Sequence, residues 1–167
     1  MKLLVCGGMG FIGGTFVRNH QDKNPNDHIT NVDSLTTGSN IKNLEKIDTT
    51  NYKFVQDDIK NSEVIDKLTS DVDLIVNFAA ETHVDRSIEN PDSFLQTNIF
   101  GTYNVGQAAL DLHVENFILI STDKAVRPTS VMGATKRIAE LVVQGLSKKH
   151  PSENIDERKN AANIQVL

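Results

Sequence analysis

Tryptophan is absent from this 167-residue chain, and cysteine occurs once, as Cys6. A single cysteine excludes an intrachain disulfide framework and any Cys-rich zinc site. Basic residues are in deficit: 17 Lys and Arg stand against 22 Asp and Glu, giving a net charge of −5. That balance argues against a nucleic-acid binder, which relies on neutralising phosphates. The five histidines are scattered, so no metal site is expected. No apolar run approaches the length of a membrane span, and no secretory leader is expected. The expectation is a soluble protein of a reducing compartment, the cytoplasm, with no membrane partner. What the chain does have is an ordinary globular composition, 38% apolar and 23% charged, enough for one self-sufficient domain over residues 1–167. Five of its ten glycines fall between Gly7 and Gly14.

The apolar pattern alternates between strands and helices. Lys2–Cys6 is a short apolar run stopped by glycine, as expected of a buried parallel strand. Further strands are expected at His28–Val32, Tyr52–Val55, Leu74–Phe78, Phe117–Ile120 and Ile164–Leu167. Helical spacing follows Phe11 until the polar stretch Asn24-Pro25-Asn26, and recurs briefly at Val64–Leu68. A long helix is expected from Ser93 to Leu112, started by Pro91 and Asp92. Another runs from Val131 to Lys148, with Thr129-Ser130 as its cap. Lys148–Asn160 is polar and reads as a surface loop or frayed helix end. Such alternation indicates an α/β fold with a doubly wound parallel sheet.

Gly7-Gly8-Met9-Gly10-Phe11-Ile12-Gly13 carries G-x-x-G-x-x-G between the first strand and the first helix. Missing β-carbons let this backbone approach a pyrophosphate, whose charge is met by the helix N-terminus. Asp33 lies 20 residues after Gly13, at the end of the second strand. A carboxylate there accepts ribose hydroxyls and repels a 2′-phosphate, which favours NAD over NADP. Ser34 follows it. Asp58-Ile59, after the third strand, can read an adenine edge, and the small pair Ala79-Ala80 leaves room for a dinucleotide.

These residues resemble the extended short-chain dehydrogenase/reductase family, in particular nucleotide-sugar 4,6-dehydratases. GGMGFIGG, VDSLTTGSN, QDDIKN, AAETHVDRSIENPDSF and TNIFGT are similar to dTDP-glucose 4,6-dehydratases. ISTDKAVRPTSVMGATKRIAE is similar to the polysaccharide-biosynthesis branch that acts on UDP-N-acetylglucosamine. The resemblance implies a Rossmann-type fold, truncated before the substrate-binding part. It also implies NAD as cofactor, a UDP- or dTDP-hexose as substrate, and a homodimer formed by the helices at Ser93–Leu112 and Val131–Lys148.

In the reaction so implied, C4 of the sugar is oxidised, water is lost across C5 and C6, and hydride returns to C6. Thr122 matches the hydroxyl that bonds the C4 oxygen, and Asp123 the acid for the C6 oxygen. That acid needs a raised pKa. Lys124 stands where glucose-type dehydratases carry a glutamate, and as C5 base it needs a lowered pKa. Met132 and Lys136 occupy the family's Tyr-x-x-x-Lys pair, and share a helix face. A thioether cannot accept a proton, so the C4 base stays open among Lys136, Lys124, Asp123 and Thr122 with a water. Asn98 matches the helix asparagine that supports this lysine through water, and Thr82 borders the nicotinamide or pyrophosphate. Two alternatives share the same cofactor machinery: a nucleotide-sugar 4-epimerase or reductase, and a non-catalytic NAD-binding module.

Overall fold

The computed structural model describes residues 1–148 and 163–167. Six parallel strands form one sheet: β1 (Lys2–Cys6), β2 (His28–Asp33), β3 (Tyr52–Gln56), β4 (Leu74–Asn77), β5 (Asn116–Leu119) and β6 (Asn163–Val166). Their order is β3-β2-β1-β4-β5-β6. The chain therefore winds outward in both directions from the β1–β4 pair, where Leu3 lies opposite Leu74 and Cys6 opposite Asn77. Every expected strand is present, with ends shifted by at most a residue.

Helices cover the sheet: α1 (Phe11–Lys23), α2 (Ser62–Thr69), α3 (Val84–Glu89), α4 (Pro91–Phe94), α5 (Thr102–Asp111) and α6 (Val131–Leu146). Leu3, Leu4, Val5 and Cys6 are all buried, because β1 is covered on both faces. Alternation along the strand sends Leu4 and Cys6 to a core with Val105, Phe117 and Val143, and Val5 to a second core with Val17 and Ile29. Ser130 caps α6 as expected, its hydroxyl accepting the Gly133 N–H at 3.1 Å.

Two features depart from the sequence reading. The helix expected over Ser93–Leu112 begins at Pro91, and Leu95–Gly101 within it is π-helical. α3 was not foreseen, since Ile88 on it is solvent-exposed and gives no buried stripe. Most of the polar Lys148–Asn160 segment lies outside the described residues.

Candidate active site

A cavity of about 640 Å³ lies along the carboxyl ends of β1 to β5. Open parallel sheets bind ligands at this place, where the strand order reverses. Gly7, Gly10, Phe11, Ile12 and Gly13 line it from the first turn of α1, and Asp33 and Ser34 from the end of β2. Asp58 and Ile59 follow β3, Ala79, Ala80 and Thr82 follow β4, and Lys136 projects from α6. All thirteen residues expected to bind a cofactor therefore face one cavity. Thr36, Thr37, Gly38 and Ser39 add a polar wall beside Asp33 that motif spacing did not mark.

The glycine turn has a steric cause. Gly7 has φ of +80°, and a β-carbon there would stand 2.6 Å from the Ala79 nitrogen. One on Gly13 would stand 2.3 Å from the Gly7 carbonyl oxygen, so α1 could not start this close to β1. The Gly7 amide donates to Val32, Gly8 to Asn31 Oδ1, Met9 to Asp33 Oδ2 and Gly10 to Gly7. Among the described residues the next three amides, of Phe11, Ile12 and Gly13, have no acceptor. They are the orphan donors of a helix start, and their residues line the cavity. Such amides at the positive end of a 13-residue helix suit a pyrophosphate.

Asp33 is only 5% exposed. Its Oδ2 accepts the Met9 N–H at 2.9 Å and its Oδ1 the Leu35 N–H at 2.8 Å. Each oxygen keeps a lone pair, so the carboxylate is held rigidly and can still accept ribose hydroxyls. Asp58 is braced by the Lys60 amide at 3.0 Å.

At the other end of the cavity, Lys136 is 5% exposed and donates to the Ile120 carbonyl oxygen at 2.7 Å. Burial pushes its ammonium down to about 8, partly opposed by the Glu140 carboxylate one turn later. Glu140 in turn accepts from the Ser121 hydroxyl and, at 2.7 Å, from Arg137. Thr122, Lys124 and Met132 also line the cavity. Met132 is buried and supplies no titratable group.

Asp123 and Asn98 stand apart from the cavity lining. The Asp123 side chain is 87% exposed. The Thr122 hydroxyl, donating at 3.0 Å, and then Lys124 at 3.4 Å hold its carboxyl below the usual carboxylate range. The raised pKa expected of a C6 acid is therefore not found in this chain, because the bonds from Thr122 and Lys124 and the Lys124 charge outweigh the slight desolvation of Asp123. Both ends of the Asn98 amide are engaged. Its oxygen accepts the Glu81 N–H at 2.8 Å, and its NH2 donates to the Glu81 carbonyl and to Thr135 Oγ1, both at 3.0 Å. Its oxygen keeps a second lone pair, which can accept from a water. Asn98 fastens the loop after β4 to α6.

Fold and site together define a doubly wound protein with a dinucleotide-type cleft. Comparison sharpens the class. The chain belongs to the polysaccharide biosynthesis protein family, which it matches over residues 3–160. It is 40% identical over 165 residues to the low-salt glycan biosynthesis protein Agl12 of Haloferax volcanii, covering 90% of this chain and 53% of that protein. It is 36% identical to human dTDP-D-glucose 4,6-dehydratase, covering 86% of this chain and 46% of that enzyme. Its fold matches DesIV, the dTDP-glucose 4,6-dehydratase of Streptomyces venezuelae solved with NAD bound, with a TM-score of 0.84 at 35% identity, over 89% of this chain and 52% of that one. The chain thus spans about half the length of the relatives it matches.

Proposed function

We propose that this chain is the cofactor-binding and catalytic part of an NAD-dependent nucleotide-sugar 4,6-dehydratase, a lyase acting in surface-polysaccharide or glycan-precursor synthesis. The observation that carries the reading is a single cavity with orphan amides and Asp33 at one end, and Thr122, Lys124 and Lys136 at the other. Relatives named as dTDP-glucose 4,6-dehydratases support it.

Bound NAD+ supplies acceptance of the C4 hydride and its return at C6. The amides of Phe11, Ile12 and Gly13 hold the pyrophosphate, and Asp33 accepts the adenosine ribose hydroxyls. Lys136 bonds the nicotinamide ribose. The Thr122 hydroxyl bonds the C4 oxygen of a UDP- or dTDP-hexose, and Lys124 removes the C5 proton. Lys136 lines the cavity with its pKa lowered to about 8, so its neutral form takes over the C4 proton that Met132 cannot accept. Asp123 protonates the departing C6 oxygen once further protein covers and desolvates it. Leu95 and Tyr103 on the π–α5 helix, with Ile138 and Leu141 on α6, present exposed apolar side chains suited to a homodimer.

The ionised, exposed Asp123 favours a second reading, 4-epimerisation, which needs hydride transfer at C4 but no acid at C6. Incubating the chain with NAD+ and either dTDP-glucose or UDP-N-acetylglucosamine separates the readings. A 4-keto-6-deoxy sugar supports the dehydratase, and a C4 epimer supports the second reading. Cofactor binding with neither product makes this chain by itself a binding module.

A further inference from the structure

β2 carries an anomaly beneath the glycine loop. Ile29, Asn31 and Asp33 share one strand face, and Ile29 packs in the core under α1. Asn31 is fully buried there, where an apolar side chain would fill the same space. A buried amide is costly unless every part of it is bonded. Its oxygen accepts the Gly8 N–H at 3.0 Å, and its NH2 donates to the Tyr52 hydroxyl at 2.9 Å. Met9 is held at both its N–H and its carbonyl. Asp33 takes the Met9 N–H, while the Met9 carbonyl accepts from the Asn40 amide at 2.9 Å and from Asn43 Nδ2 at 2.8 Å.

We propose that Asn31 and Asn43 are positioning residues for the dinucleotide phosphates, acting through the Gly7–Gly8 and Met9–Gly10 peptides that flank the Gly8–Met9 bond. They touch no ligand themselves. Four fixed bonds turn the Gly8 and Met9 amides away from the cavity and stop the loop from rotating. The orphan amides of Phe11, Ile12 and Gly13 are then offered to the phosphates at set positions, with no reorganisation on binding. The inference rests on the dinucleotide reading of the cavity.

Titration calorimetry of the whole chain with NAD+ and with adenosine, which lacks phosphates, tests it. Asn31→Leu leaves the Gly8 amide unpaired, and Asn43→Asp turns a carboxylate oxygen toward the Met9 carbonyl. NAD+ affinity should fall about tenfold in Asn31→Leu and about threefold in Asn43→Asp, the scale of one lost hydrogen bond. Adenosine affinity should stay within about twofold, and amide exchange at Gly8 and Met9 should accelerate. A purely structural role would weaken both ligands in parallel. Parallel loss, or unchanged NAD+ affinity in the folded variants, overturns the proposal. Should Asn31→Leu fail to fold, Asn43→Asp decides the matter, because that side chain lies partly exposed outside the core. Failure of the unaltered chain to bind NAD+ would instead overturn the cofactor reading itself.

Discussion

Lys136 is held where an ammonium is least comfortable, and its burial sets a measurable pH dependence. Its pKa falls from 10.5 to about 8 on folding. Between those values the unfolded chain carries a proton that the folded chain has released, so stability rises with pH across the window. Below pH 8 the buried charge costs the fold about 3 kcal/mol. Lys136→Met should therefore unfold at higher urea than the unaltered chain at pH 7, and that advantage should shrink steadily toward pH 10.5. An advantage independent of pH would rule burial of charge out as the cause. Asp33 gives a second residue-scale expectation. Since its carboxylate holds the Met9 and Leu35 amides, replacing it does more than remove a ribose reader. Asp33→Ala should lose NAD+ affinity by roughly thirtyfold, about 2 kcal/mol, without gaining NADP+ affinity. Fluorescence titration with both cofactors checks this, and a gain in NADP+ binding would contradict it. Spacing from the glycine loop made Asp33 legible in the sequence. Nothing comparable marked Asn31, because a lone polar residue inside a strand looks the same whether it faces solvent or clamps a buried loop.

Among the elements, the helix spanning Pro91–Asp111 shows where sequence periodicity runs out. Its apolar positions match a 3.6-residue period, which located the element but could not reveal the π-helical Leu95–Gly101 within it. π turns recur at functional sites, and this one carries Asn98. Isosteric Asn98→Asp keeps the bond from the Glu81 N–H but sets oxygen against the Glu81 carbonyl oxygen, and makes the Thr135 hydroxyl give up its Met132 bond to donate instead. The expected cost is about 2 kcal/mol in chemical denaturation, with the loop after β4 freed from α6. A loss below about 0.5 kcal/mol would show that the clamp adds little beyond packing. By contrast, the α6 cap was legible because a Ser followed by an apolar stripe names its own partner three residues on.

At the scale of the whole molecule, parallel order and the position of the cavity followed from strand–helix alternation and the glycine loop alone. The state of Asp123 did not, since its pKa depends on what covers it, and the chain matches only about half the length of its relatives. The outer faces of the packed π–α5 and α6 helices pose the remaining question of assembly. Ile138 and Leu141 lie on one side of α6, exposed, while Ala139 and Val143 face the core. Exposed apolar residues at this spacing, with Leu95 and Tyr103 also exposed on the neighbouring helix, are of the kind that marks an interface. If two copies pair through it, each buried Leu or Ile contributes about 1.5–3 kcal/mol. The double substitution Ile138→Glu with Leu141→Glu should then weaken self-association by a hundredfold or more, roughly 3 kcal/mol and upward. Sedimentation velocity should show the unaltered chain as a dimer and the variant as a monomer with the same circular dichroism. A monomeric unaltered chain, or a variant that still pairs, would place the interface elsewhere or remove it, because no other contact could compensate two buried carboxylates facing their own copies.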